Sequence, residues 1–378
     1  MTDYLGLARK YRAPLFELLE RLVLIESPTL DKEANDRVGK VVADEFRALG
    51  ADITFDPQEQ YGDHFVASWP NAGNGKYGLI IGHIDTVWPM GTLERVGYEL
   101  RDGRLYGPGV LDMKGGVAAT IVGLRALRDD GQWPKRPIRV LINTDEEKGS
   151  PSSRPLVEAQ AKGAEYAIVM EPGQGSSGAL KTRRKGLGEF RVSIEGRASH
   201  AGAFPERGIS AIHEMAHQIL KIQSLADMPN GTTINVGVVR GGSARNTIPA
   251  HAEAIVDVRV NTAEEGQRVE NAIRSLTPVL QGARITVEGS LHRPPMERTE
   301  AIARLAGQIK GMGRELGLEI TEESTGGGSD ANLTAAMGVP TVDGTGAVGD
   351  NPHAEGENLL AEELVNRTAL FMKAVSTL

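Results

Sequence analysis

The chain reads as a layered α/β domain interrupted by a smaller α+β insert, and three observations predict this. Short apolar runs alternate with helical stretches through the first half: Gly78-Leu79-Ile80-Ile81-Gly82, Ile138-Arg139-Val140-Leu141-Ile142 and Tyr166-Ala167-Ile168-Val169-Met170 suit buried strands of a largely parallel sheet. After about Lys185 the pattern changes to strands that alternate polar and apolar residues. A final stretch from about Arg293 returns to the first texture and carries His353, which has to meet acidic groups far upstream. The chain has 378 residues. A single core stops growing near roughly 250–300 residues, so two domains are expected.

The elements follow in order. Residues 12–27 and 33–49 predict helices; in the second, Val38, Val41, Val42, Phe46 and Leu49 fall at helical spacing and Gly50 is a stop signal. A helix from Gly115-Gly116 to about Leu127 separates the first two buried strands, and one over 154–161 separates the last two. In the insert, residues 188–196 predict a strand, 207–225 a helix, 232–240 and 248–260 two strands, 262–280 a helix and 283–289 a strand. This β-α-β-β-α-β order is that of a ferredoxin-like module. A helix over roughly 299–316, a strand near 339–342 and a helix from Leu359 complete the first domain. The expected boundaries are 1–184 with 293–378 for the discontinuous domain and 185–292 for the insert, a lid.

Composition narrows the function. Hydrophobic content of 40% and charged content of 24% describe a soluble globular chain, and a net charge of −8 argues against nucleic acid and anionic membranes as partners. There is no Cys, so a transition-metal site must use His and carboxylate. Residues 1–12 are polar without an apolar secretory region, and the apolar runs are too short to span a membrane, so the expected location is cytoplasmic.

The informative feature is where the polar residues fall. His83, Asp85, Glu146, Glu147 and Glu171 sit just past the carboxyl ends of three buried strands, the edge at which open α/β sheets build sites. Singly, each is more often a hydrogen-bonded structural group. Recurring at one end of successive strands, acidic groups beside apolar runs point to a metal. Asp112 stands on a Gly-rich turn (106–116) and is short, which suits a ligand shared by two ions. One ion takes Asp112, His83 and Glu171; the other takes Asp112, Glu147 and His353. Asp85, two residues after His83, orients the imidazole. Glu146 and Glu147 cannot both point the same way on an extended segment, so Glu146 is left over as general base. The donors accept two zinc ions, with cobalt or manganese also fitting.

These segments resemble the metallopeptidase family of glutamate carboxypeptidase, acetylornithine deacetylase and succinyl-diaminopimelate desuccinylase. The resemblance is carried by Gly82-His83-Ile84-Asp85-Thr86-Val87-Trp88-Pro89, by Tyr106-Gly107-Pro108-Gly109 with Asp112-Met113-Lys114-Gly115-Gly116, and by Asn143-Thr144-Asp145-Glu146-Glu147. Glu171-Pro172-Gly173, Ser199-His200-Ala201-Gly202 and Gly328-Ser329-Asp330-Ala331 continue it in order along the whole chain. The Asp-Thr-Val-Trp-Pro and Asp-Glu-Glu-Lys-Gly-Ser-Pro-Ser-Ser segments bring it nearest the glutamate carboxypeptidase branch. The resemblance implies a three-layer two-zinc catalytic domain, an inserted lid through which the chain forms a homodimer, and hydrolysis of an amide bond next to a carboxylate. It implies that Asp112 bridges, Glu146 is the base and Asp85 clamps His83. It makes His200 an oxyanion donor reaching the metals of a partner subunit, and gives Asn246 and Arg259 a grip on the substrate carboxylate. Met113 departs from relatives that carry an acidic or amide residue there, with little effect expected on ligation.

Arg suits that grip chemically, being a permanently charged bidentate fork, although Arg259 on an alternating strand is equally a solvated face residue. Arg293, before Pro294-Pro295, is a third candidate. Gly326-Gly327-Gly328-Ser329-Asp330 opens a helix whose first amides are expected to be able to bind a carboxylate. It lacks the Lys and spacing of a phosphate loop, so a nucleotide site is rejected. The expected activity is release of a C-terminal amino acid from a peptidyl or N-acyl substrate. An N-acyl-amino-acid deacylase is the alternative within enzymes; a catalytically silent ligand-binding protein is the rival class, opposed by the complete ligand set and Glu146.

Overall fold

A computed structural model describes residues 2–69 and 75–378. The chain divides into two compact units: 1–183 with 298–325 and 329–378, and 184–297 with 326–328. Among the described residues no helix is long and apolar enough to cross a membrane.

The larger unit is built on a six-stranded sheet. Its centre holds the apolar strands Tyr77–His83, Ile138–Asn143 and Ala164–Val169, the first flanked in parallel by the other two. Thr341–Val342 adds a parallel edge beside Ala164–Val169. The opposite side is antiparallel: His64–Ser68 pairs with Ile138–Asn143, and Asp52–Asp56 pairs with His64–Ser68. The sheet is therefore mixed. These two strands lack the uniform apolar run of the centre, and the outer one is largely exposed, so they carry a weaker pattern.

Helices pack on the sheet through apolar stripes. In Lys32–Ala48 the residues Val38, Val42 and Phe46 are fully buried. Asp31 caps that helix by accepting from the Ala34 amide at 2.9 Å. Gly115–Asp129 is apolar nearly all round and lies in the core with the C-terminal helix Ala361–Thr377. Gly116 lets this helix approach the sheet: a Cβ there would lie 2.0 Å from the Met170 carbonyl oxygen, one residue before Glu171. A second small sheet joins Glu99–Arg101, Arg104–Tyr106, Asn358–Leu360 and Gly349–Asp350, all antiparallel. It fastens the loop ahead of Asp112 to the hairpin that carries His353.

The smaller unit is a ferredoxin-like sandwich. Its sheet runs Thr233–Gly241, His251–Val260, Gly186–Glu195, Arg284–Arg293, every pair antiparallel. The helices Ala211–Gln223 and Ala263–Arg274 cover one face, over Phe190, Val192, Ile194, Ala254, Val256 and Val258. The second helix stops at Arg274 rather than continuing to 280. Pro278 explains this, because the residue before a proline is driven out of the helical region.

Candidate metal centre

Three parallel strands end together and deliver the cluster. His83 is the last residue of its strand, Asn143 ends the next, and Val169 the third, so Glu146, Glu147 and Glu171 follow within a few residues. Asp112 comes from a tight turn in which Gly109 is left-handed (φ 71°), with Thr86 2.5 Å from where a Cβ would stand. His353 lies at the tip of the Gly349–Asp350/Asn358–Leu360 hairpin, itself at φ 59°.

The geometry centres on Asp112. Its Oδ1 is 3.1 Å from His83 Nε2 and its Oδ2 is 3.2 Å from His353 Nε2. Beyond these, His83 Nε2 is 3.4 Å from Glu171 Oε1, and His353 Nε2 is 3.1 Å from Glu147 Oε2. One carboxylate thus stands between two imidazoles, each with a second carboxylate of its own. Glu146 joins as well: carboxylate oxygens of Glu146 and Glu171 and a nitrogen of His83 form a compact group.

Charge in this cluster is crowded and, apart from half-exposed His353, withdrawn from water. Burial alone pushes the His83 imidazole down, yet Asp112, Asp85 and Glu171 outweigh it and hold the ring well above its usual pKa. Asp112 and Glu147 lift His353 to about 11. Burial raises Glu147 to about 7. Asp112 is also buried, but the two imidazoles hold its carboxyl far below the usual range. Such a set, with carboxylates in excess, requires added positive charge to be stable out of water. One oxygen of Glu147 is buried with no hydrogen-bond partner. The donor set and this orphaned oxygen fit divalent cations bound by His and carboxylate.

Asp85 is a hub. His83 Nδ1 lies 3.0 Å from the Asp85 carbonyl oxygen and 3.4 Å from its carboxylate. The same carboxylate accepts from the amides of Glu146 and Glu147, at 3.3 and 3.2 Å, and from the Thr29 hydroxyl at 2.8 Å. It therefore ties the imidazole to the turn that bears both glutamates. That turn is not extended: Glu146–Lys148 is a single 3-10 turn. Successive side chains are rotated by about 120° there, which separates Glu146 from Glu147 by a different geometry from the strand alternation expected.

Several residues that hold the site escape a reading of the sequence. Asp145 accepts from the amides and hydroxyls of Ser152 and Ser153, folding the turn back on itself. Asp330 accepts from Asn143 Nδ2 at 2.6 Å and from the Ser150 hydroxyl, and so braces the strand ends. Its helix, Asp330–Ala336, does not offer the anion site expected of it. Ser329 and Asn332 form a reciprocal capping box that takes up the first amides.

The smaller unit holds the remaining candidates. His200 and Asn246 are neighbours on a two-stranded ribbon, Ser199–His200 against Thr247–Ile248, and the Asn246 carbonyl accepts from the Ala201 amide at 2.9 Å. His200 Nδ1 accepts from the amides of Gly202 and Ala203, at 3.2 and 3.0 Å, so the neutral ring carries its proton on Nε2. Arg259 and Arg293 lie on either side of Leu187, on the two strands that flank it. Arg259 donates to Gly326 O at 2.8 Å, and Arg184 donates to Gly327 O and Gly328 O. Arg293 is buried, whereas Arg259 is part exposed. Arg184 was not among the sequence candidates; its place at a strand end before Lys185 was the available signal.

The family follows from comparison with known proteins. A model of peptidase family M20/M25/M40 matches residues 79–377. The chain belongs to this family. It is 32% identical over 346 residues to carboxypeptidase G2 of Pseudomonas sp. (strain RS-16), spanning 90% of this chain and 83% of that protein. It is 28% identical to a succinyl-diaminopimelate desuccinylase of Gluconacetobacter diazotrophicus, over 92% of this chain and 93% of the relative. An acetylornithine deacetylase of Myxococcus xanthus is likewise 28% identical, covering 83% of each. Among solved structures, aminopeptidase PepT of Bacillus cereus superposes with a TM-score of 0.78 at 23% identity, over 97% of this chain and 98% of that one. An M20 family metallo-carboxypeptidase of Sulfolobus solfataricus gives 0.76 at 16% identity, over 96% and 99%. These two show the shared fold. The chain is an M20 family hydrolase, in the family's expected two-part architecture.

Proposed function

We propose that this M20 family hydrolase cleaves an amide bond to release a C-terminal amino acid, using two divalent metal ions, zinc first among them. One observation carries the proposal: Asp112 stands between His83 and His353, each imidazole within 3.2 Å of a different oxygen of the same carboxylate. His83, Asp112 and Glu171 would hold one ion, and Asp112, Glu147 and His353 the other. When bound, such ions polarise a carbonyl and make water more acidic.

The chain's own residues do the rest. Glu146 accepts the proton of the attacking water at its carboxylate and returns it to the leaving nitrogen. Asp85 keeps that turn in register through the amides of Glu146 and Glu147. His200, reaching across the proposed dimer to a partner subunit's metals, offers Nε2–H to the developing oxyanion, since its Nδ1 is already occupied as an acceptor. Asn246 and Arg259, with Arg293 as a third candidate, take the substrate's carboxylate. An N-acyl-amino-acid deacylase is the second reading, favoured by the relatives whose names are a desuccinylase and a deacetylase. The chemistry is the same and the acyl pocket differs.

The smaller unit supports a homodimer. Its edge strand Thr233–Gly241 exposes Val238 and Val239, and the adjacent helix Ala211–Gln223 exposes Ile212 and Leu220. We place the function in the cytoplasm, on a small peptide or N-acyl amino acid. The test is a hydrolysis panel that varies the acyl group and the C-terminal residue, with and without chelator, alongside sizing in solution. C-terminal release that tracks the C-terminal residue, and stops on metal removal, is expected. Turnover indifferent to chelator, or confined to short acyl groups, overturns the metal requirement or the carboxypeptidase reading respectively.

A further inference from the structure

Glu357, four residues beyond His353, is only 3% exposed and has no part in the chemistry above. Each of its carboxylate oxygens accepts two donors. Oε1 takes the amides of Leu111 at 2.9 Å and Asp112 at 3.0 Å. Oε2 takes the Gly109 amide at 2.9 Å and the Trp88 indole N–H at 2.6 Å. Its own carbonyl oxygen accepts from the Gly107 amide at 3.3 Å. An ionised carboxylate has about four acceptor directions, and here all are filled by donors. Every acceptor direction of the carboxylate is thus occupied.

A brace of this kind could serve the fold alone. Its placement says more. One of the four donors is the amide of Asp112 itself and another is the amide of the residue before it. Asp112 divides its two oxygens between His83 and His353. A small rotation of the Asp112 backbone therefore shifts one contact toward its imidazole and the other away. Glu357 also stands where the His353 hairpin rejoins the small sheet, beside Asn358 paired with Tyr106. The Trp88 indole adds a third segment, the one that follows His83 and Asp85. A single buried carboxylate thus links the segments that present His83, Asp112 and His353.

We propose that Glu357 is a positioning residue that sets the backbone of Asp112, and the foot of the His353 hairpin, for binding divalent ions. This rests on the two-ion reading of the site. Partners that orient metal ligands typically change affinity by about 10–100-fold when replaced. Glu357→Gln keeps the size but turns an NH2 group toward N–H donors, and Trp88→Phe removes one donor of the four while leaving the carboxylate.

The test uses the full-length apo protein, titrated with Zn2+ against a chromophoric chelator and with Co2+ followed by its visible absorption. The parent is expected to bind two ions. Glu357→Gln, folded by circular dichroism, is expected to weaken binding by about 10–100-fold and to change the Co2+ spectrum. Trp88→Phe is expected to lose less, roughly 2–10-fold. A brace serving the fold alone would lower the melting temperature and leave both metal readouts of the folded protein unmoved, which overturns the proposal. Should Glu357→Gln not fold, Trp88→Phe with affinity within twofold of the parent overturns it equally. A parent that binds no ion defeats the two-ion reading, and this inference with it; a parent that binds two with unchanged variants defeats the inference alone.

Discussion

At the strand ends of the larger unit, His83, Asp85 and Glu171 are withdrawn from solvent and Asp112 and Glu147 nearly so; in the smaller unit, His200 and Asn246 stand exposed on a short ribbon. The first group is held by a dense set of amides and hydroxyls, the second by a few backbone contacts. Withdrawn charges interact strongly and are costly to misplace, so their geometry has to be built in. Exposed groups keep rotamer freedom and suit a surface that must meet a substrate and release it. Under the proposed function the contrast would separate bond-breaking from recognition, and each unit can be perturbed to ask whether that separation is real.

The largest effect is expected at Glu146. Glu146→Gln should lower kcat by roughly 10²–10⁴-fold while metal content stays unchanged. Steady-state kinetics with metal analysis of the same preparation measures both. Wild-type turnover in that variant would remove Glu146 as base and break the comparison at its stronger end.

His200→Ala tests whether the exposed ribbon contributes to chemistry. The expected loss is roughly 10²–10³-fold in kcat with little change in KM, as for deletion of one oxyanion donor. A rise in KM alone would reassign His200 to binding and sharpen the division between the units. Arg259→Ala should do the reverse. Loss of a charge-assisted contact costs about 1.5–3 kcal/mol, or roughly 10–100-fold in kcat/KM, carried by KM for substrates with a free carboxylate. Equal losses for an amidated substrate would show that Arg259 holds only its neighbours Asp257 and Gly326.

What could be read from the sequence divides along the same line. His83, Asp112, Glu147 and Glu171 were legible as candidate ligands because buried strands have a plain apolar signature and each candidate lies at the end of one or on a Gly-rich turn; His353, on an exposed hairpin, has no such local signal. The structure draws them together around Asp112. The roles of Asp145, Asp330 and Glu357 were not legible, because each works by accepting amides or hydroxyls from other segments, and no spacing pattern announces such a partner. The antiparallel strands Asp52–Asp56 and His64–Ser68 were missed for lack of a uniform apolar run. The form of the Glu146–Lys148 turn depends on Asp85 and Asp145, which only the tertiary structure supplies.

The smallest effect concerns the one carboxylate of the smaller unit that imitates the larger unit's economy. Glu214, on Ala211–Gln223, is fully buried. Its oxygens accept from the amides of Val279, at 3.0 Å, and Leu280, at 2.6 Å, and from the Gln218 amide group. It therefore holds the segment that Pro278 bends away from the second helix. Burial pushes its pKa up, but these donors outweigh burial and leave it below the ordinary glutamate value of 4.5. A carboxyl lowered on folding stabilises the fold above its unfolded pKa, and that contribution is lost as pH falls through the folded value. Glu214→Gln should then cost about 1–3 kcal/mol at neutral pH. The difference from the parent should shrink as the parent's carboxyl protonates below pH 4.5. Denaturant unfolding at neutral and acid pH, with amide exchange at Val279 and Leu280, measures it. A pH-independent difference would mean that Glu214 acts through packing, and that charge burial governs structure only in the unit that carries the candidate metal ligands.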